Sequence, residues 1–128
     1  MGHVGLTPQS IRQFGGFRVQ RDESRLVEDA LAVEQAGAFS VVLECIPESI
    51  AARITQELSI PTIGIGAGAA CDGQVLVAQD MLGLFDDVRP RFAKHFAELG
   101  QVVRDAAAAY VAEVRAGKFP LAEHAFKE

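Results

Sequence analysis

A carboxylate, Glu44, closes the apolar run Ala38-Phe39-Ser40-Val41-Val42-Leu43 and is followed at once by Cys45-Ile46-Pro47. Short runs rich in β-branched and aromatic residues read as buried strands. A charge at the carboxyl end of such a strand sits where open α/β sheets and α/β barrels build their sites. Residue type and position suit a general base; they also suit a solvated strand end, or a cap for the helix that begins near Pro47. Three further features fall at or just beyond the carboxyl ends of predicted strands: His3, the glycines Gly64, Gly66 and Gly68, and Asp80. In a parallel sheet those ends share one rim, and neither composition nor helix packing requires such residues at all four places. Taken singly, His3 reads as a structural histidine and Asp80 as a turn or helix-cap carboxylate.

Gly64-Ile65-Gly66-Ala67-Gly68-Ala69 matches the G-x-G-x-x-A dinucleotide pattern, with Asp86 at about the distance of a ribose-binding acid. That fingerprint should open an amphipathic helix, whereas here the chain runs into the turn Cys71-Asp72-Gly73-Gln74 and another apolar run. The glycines then serve either to let the backbone approach a ligand or to make a tight loop under neighbouring side chains. Cys45 and Cys71 have no C-x-x-C or Cys/His spacing, which argues against zinc and for two buried, inert thiols. Ser10, Ser40 and Ser49 lack a nucleophile-elbow setting, and His95 and His124 fall on the last helix and the tail, so a Ser/His/Asp hydrolase has no support. The mixed charges Asp86, Asp87, Arg89, Arg91 and Lys94 read as a solvated connection.

The elements that would carry these residues alternate between apolar runs and amphipathic stretches, the pattern of repeated βα units around a parallel sheet. Strands are predicted near Met1 to Val4, Phe39 to Leu43, Thr62 to Ile65 and Val75 to Val77. Thr7-Pro8 signals a short helix, with Thr7 as N-cap, that Gly15-Gly16 ends. After a polar stretch from Gln20 to Arg25, Leu26, Ala30, Val33 and Gly37 recur at helical spacing. Pro47 opens a helix with the inner stripe Ile50, Ile54 and Leu58. A long helix from Arg91 carries Phe92, Phe96, Leu99, Val103, Ala106, Tyr110 and Val114 on one face, with Gly117 as its C-cap.

With 128 residues, 49% of them hydrophobic and 23% charged, the chain has the size and composition of one globular domain, residues 1–128. The net charge of -5 comes without a basic cluster, and one Tyr and no Trp leave no stacking surface, so nucleic acid is not an expected partner. No apolar run approaches the roughly 18 residues of a membrane span, and the first residues lack a signal pattern, so no membrane association and a cytoplasmic location are expected.

The ordered blocks are specific enough to identify a family. Gly2-His3-Val4-Gly5-Leu6-Thr7-Pro8-Gln9-Ser10, Gly15 to Gln20, Val42 to Pro47, Ile60 to Gly68, Cys71 to Val77, Asp80-Met81-Leu82-Gly83, Phe119-Pro120 and Glu123-His124 follow one another almost end to end. In these the chain resembles the C-terminal half of ketopantoate hydroxymethyltransferase, also called 3-methyl-2-oxobutanoate hydroxymethyltransferase.

The resemblance implies an α/β fold, the C-terminal half of a (β/α)8 TIM barrel of the phosphoenolpyruvate/pyruvate type, with four βα units and a long C-terminal helix. It implies a transferase of pantothenate and coenzyme A biosynthesis that uses 5,10-methylenetetrahydrofolate to convert 3-methyl-2-oxobutanoate into 2-dehydropantoate, with Mg2+ holding the 2-oxo acid. The residue matching Glu44 is the family's proton acceptor. His3 and the Gly64, Gly66 and Gly68 loop would line the substrate pocket, and Asp80 would support it without touching substrate. Family chains are about twice as long, and their metal-binding carboxylates and a substrate-binding lysine belong to an N-terminal half with no counterpart here, so no metal ligand is expected in this chain. Between Gln20 and Arg21 the family continues for a few more residues. The expectation is therefore a chain inactive alone, completed by a complementary half-barrel chain or by copies of itself. The alternative is a non-catalytic binding or assembly module that reuses half the fold.

Overall fold

The computed structural model describes residues 1–13, 15–85 and 89–126. Asp86 and Asp87, singled out above, lie outside the described residues. The chain divides into two compact units, Met1–Leu76 and Val77–Glu128.

The first unit holds an all-parallel sheet of β1 (Gly2–Gly5), β2 (Val41–Glu44), β3 (Thr62–Ile65) and β4 (Gly73–Gln74), in the order β1-β2-β3-β4. Helix α1 (Glu23–Gln35) follows β1 and helix α2 (Glu48–Glu57) follows β2. Alternation along a strand sends successive side chains to opposite faces. Val4, Val41 and Leu43 therefore point one way, into a single core with Leu26, Val27 and Ala30 of α1 and Ile50, Ala51 and Ile54 of α2. The strands thus follow one another in sequence order, and α1 and α2 pack on the same face of the sheet.

Helix α1 starts earlier than its apolar spacing predicts because the Asp22 side chain accepts from the Arg25 amide at 3.2 Å, capping the first turn. It stops at Gly37, whose φ of 89° lets the Gly37 and Ala38 amides return to Glu34 and Val33. The expected first helix is only a 3-10 turn, Pro8–Ser10, and Thr7 makes no side-chain cap. Phe39, expected to begin β2, is exposed and precedes the ladder, which starts at Val41.

The predicted strand at Val75 to Val77 is corrected to Gly73–Gln74. The Val75 amide still donates to Gly64 at 3.0 Å, but β3 ends at Ile65 and turns at Gly66 (φ 65°), so the next residues have no ladder to join. Val75 and Val77 are exposed, and Val77 precedes helix α3 (Ala78–Met81).

The amino end of β3 is held by a polar clamp. Thr62 is fully buried, and its amide and hydroxyl both donate to Asp72 Oδ2, at 2.8 and 3.1 Å. The Asp72 amide donates to Thr62 Oγ1 at 3.2 Å, and the Thr55 hydroxyl of α2 stands 2.8 Å from the same oxygen. The Thr62 amide first, and then its hydroxyl, hold the Asp72 carboxyl below the usual carboxylate range.

In the second unit, helix α4 (Leu99–Arg115) begins eight residues later than the predicted start at Arg91. The Phe96, Leu99 and Gly100 amides donate to the carbonyls of Met81, Leu82 and Gly83, so the segment before α4 is used to meet the turn after α3. Phe92 and Phe96 therefore lie outside the helix, while Leu99, Val103, Tyr110 and Val114 are exposed on it. Gly117, at φ 66°, stands one place beyond the Ala116 cap, where it and Lys118 donate to Val114 and Glu113.

Because the Asp72 carboxyl is held below its unfolded value of about 3.9, its contribution to stability is complete above that pH and is lost as pH falls through the lower folded value. Asp72→Ala should lower the urea midpoint at pH 7, and the difference from the unsubstituted chain should shrink on acidification below about pH 4. Equal midpoints at pH 7 would refute the clamp.

Candidate functional site

On the sheet face opposite the helices stand His3 of β1, Val42 and Glu44 of β2, and Ile63 and Ile65 of β3. Register sets them in two rows: His3, Val42 and Ile63 in one, and Gly5, Glu44 and Ile65 in the next toward the carboxyl ends. His3 and Glu44 are thus diagonal neighbours, within reach of long side chains. His3 Nε2 lies 2.8 Å from Glu44 Oε2, with 30% and 22% of the two side chains exposed. The pair is open to a ligand yet shielded enough for its hydrogen bond to matter.

The backbone around Glu44 is fixed from both sides. The Leu6 amide donates to the Glu44 carbonyl and the Cys45 amide to the Ile65 carbonyl, each at 2.9 Å. Gly5, at φ 96°, lies so close that a Cβ there would run into the Glu44 carbonyl oxygen. Cys45 adopts φ 50°, the only positive φ at a non-glycine among the described residues. Such a conformation costs on the order of 1–3 kcal/mol and persists where surrounding structure imposes it. It turns the chain sharply after Glu44, and the Gln20 amide meets the Cys45 carbonyl at 2.9 Å.

Both thiols are free and half-buried, short of the full burial expected. Burial, and then the neighbouring Glu44 charge, push Cys45 up. Burial also pushes Cys71 up, against opposing hydrogen bonds from Thr62 and Thr55.

The glycine loop follows Ile65 and runs toward β4 rather than into a helix, so the dinucleotide pattern lacks its required context. A Cβ on Gly64 would stand 3.0 Å from Cys71 Sγ and from Gln74 Nε2, and one on Gly68 would meet the Glu48 side chain. Glu48 Oε1 accepts from the Ala69 amide at 3.2 Å, and Gln74 Nε2 donates to the Gly68 carbonyl at 2.9 Å. At Gly64 and Gly68 the missing side chain thus makes room for protein atoms. Glu48 and Gln74, which hold this loop, were not found from sequence; the one signal for Glu48 was its place in the first turn of α2 after Pro47.

Asp80 does not stand at a strand end. It lies in the second unit, in the first turn of α3, because the strand expected before it ends at Gln74. Beside β1, an outer strand of the sheet, a cleft of about 400 Å³ is lined by residues including His3, Gly5, Arg25, Asp29 and Val33.

The family model described as ketopantoate hydroxymethyltransferase matches residues 1–122. The chain belongs to this family. A 3-methyl-2-oxobutanoate hydroxymethyltransferase of Pelobacter propionicus is 62% identical over 129 residues, which cover 98% of this chain and 48% of the relative. One of Paracoccus denitrificans is 60% identical over 132 residues, covering 100% and 48%, and one of Clostridium novyi is 58% identical over 131, covering 99% and 48%. The chain therefore spans about half the length of the curated relatives it matches. The alignment with the Paracoccus relative runs over 132 residues against the 128 of this chain.

Among the described residues no group of three or more His, Cys, Asp or Glu could hold a metal ion. Glu44, with one oxygen taken by His3, does not make the oxygen cage that Mg2+ requires. The residues present thus do not fit the ion. No helix of the described residues is long and apolar enough to cross a membrane.

Gly5→Ala should destabilise the chain by about 2 kcal/mol or more, since it combines a disfavoured φ with a backbone clash. Urea unfolding measures this, and an unchanged midpoint would refute the packing of Gly5 against Glu44.

Proposed function

We propose that this chain forms the base-bearing half of a (β/α)8 barrel of the phosphoenolpyruvate/pyruvate type. The complete barrel would transfer a hydroxymethyl group from 5,10-methylenetetrahydrofolate to 3-methyl-2-oxobutanoate, giving 2-dehydropantoate for pantothenate biosynthesis. The observation that carries the reading is Glu44 itself: a carboxylate at the end of a parallel strand, on the face opposite α1 and α2, hydrogen-bonded to a histidine from the adjacent strand. Strand order β1-β2-β3-β4 with α1 and α2 on one face supports the barrel. Family membership supplies the reaction class, and the relatives' printed name supplies the 2-oxo acid.

Glu44 takes the proton from C3 of the substrate, and the electron pair left behind enters an enolate conjugated with the 2-oxo group. Such a proton is too weakly acidic for a carboxylate alone, so the enolate oxygen needs an electrophilic partner. The described residues of this chain do not fit Mg2+, so an ion in that role would be held by residues outside it. This chain's own contribution is the base, its histidine neighbour and the walls around them. His3 stands beside the Glu44 carboxylate, and the chain leaves Ile65, the strand partner of Glu44, through Gly66.

In this reading a partner half would attach at β1. Among the described residues β1 is an outer strand paired on one side only, and the cleft beside it is lined in part by Val33 of α1 and its cap Ala36. A complementary half-barrel chain, or a homo-oligomer of complete chains, would cover this edge in a cytoplasmic enzyme.

The test pairs the chain with the N-terminal half of the Pelobacter propionicus relative and follows deuterium exchange at C3 of 3-methyl-2-oxobutanoate with Mg2+. Glu44→Gln should lower exchange about 10²–10⁴-fold while substrate still binds. Exchange at the unsubstituted rate would remove Glu44 as the base. Assembly without any exchange from the unsubstituted chain would favour the non-catalytic module.

A further inference from the structure

A carboxylate acting as a base needs one oxygen free and aimed at the carbon acid, and rotation about its last bonds would blur that aim. Main-chain contacts from Leu6, Gly5 and Ile65 fix where the Glu44 backbone lies, but none of them restrains its carboxylate. His3 does, because its Nε2 stands 2.8 Å from Oε2. His3 is itself anchored in the ladder, paired with Val42, so its ring reaches Glu44 from the row beneath.

We propose that His3 is a positioning residue for Glu44: its Nε2–H donates to Oε2, sets the carboxylate's rotation, and leaves Oε1 as the oxygen that accepts the C3 proton. This deepens the reading of Glu44 as the base and rests on it. The geometry is consistent through the step. The C3–H bond breaks, an Oε1–H bond forms, and the electron pair stays on the substrate as enolate. Oε2 becomes the carbonyl oxygen of a neutral acid and still accepts from Nε2–H, so the hydrogen bond survives the transfer. Protonation at Oε2 would instead set two hydrogens against each other. Occupation of Nε2 by Glu44 also separates this role from a direct substrate contact through the same nitrogen. A misplacement of about 1 Å in a reacting group can cost on the order of 10²-fold in rate, which sets the scale of the effect.

The variants that test this differ in where they place a donor. His3→Gln carries its amide nitrogen at the reach of Nε2, His3→Asn falls short at the reach of Nδ1, and His3→Ala has none. In the chain assembled with its N-terminal half, His3→Ala and His3→Asn should lower kcat for C3 exchange about 10–100-fold with KM within about twofold, and His3→Gln should recover most of the loss. Raised KM with unchanged kcat would make His3 a substrate contact and overturn the proposal, as would a His3→Gln no faster than His3→Ala. Should Glu44→Gln keep exchanging, the base assignment fails, whatever the His3 variants do. A second measurement needs no activity: in imidazole ¹⁵N spectra of the 128-residue chain, neutral His3 should be the Nε2–H tautomer, and Glu44→Gln should shift its ring signals. An Nδ1–H tautomer, or signals indifferent to Glu44→Gln, would overturn it.

Discussion

The Glu44 carbonyl accepts from the Leu6 amide, and the Cys45 amide beyond it donates to Ile65, so the end of β2 is tied to both neighbouring strands in one row of the sheet. The rest of the site depends on that row. Gly5 can face Glu44 only without a side chain, Cys45 turns away in a conformation that only its surroundings impose, and the glycine loop departs from Ile65. The same register sets His3 one row below, at the diagonal from which its ring meets the Glu44 carboxylate. A one-residue slip would send His3 and Glu44 to opposite faces and dissolve the pair.

Features governed by local pattern were legible in the sequence. Thr62–Ile65 forms the strand its apolar run predicts, and Ile50 and Ile54 face the core as their spacing requires. Glu44 stood out because a charge ends an apolar run. What the sequence did not reveal depends on distant partners. Val75 to Val77 has strand-forming residues, but β3 offers it only one more carbonyl. The run from Arg91 has helical spacing, yet its amides are claimed by carbonyls at Met81 to Gly83. Asp80 lost its strand-end position for the first of these reasons. The His3–Glu44 bond joins residues 41 apart, and the Asp72–Thr62 clamp likewise needs the register before it can be seen.

Charge placement then divides the chemistry. The sheet face opposite α1 and α2 carries the hydrogen-bonded pair His3 and Glu44 beside apolar Val42 and Ile63, and the proposed proton abstraction rests on that pair. Among the described residues no group of His, Cys, Asp or Glu supplies the oxygen ligands that Mg2+ needs. The chain spans about half its relatives' length, and the proposed function gives it one side of a site shared with a partner half.

The central claim, that this chain supplies the base but not the electrophile, is tested most directly by C3 deuterium exchange of 3-methyl-2-oxobutanoate as the N-terminal half of a relative is titrated into it with Mg2+ present. The account predicts no exchange above background from either half alone and a rate that rises to saturation near equimolar mixing. Full exchange by the 128-residue chain alone would contradict it.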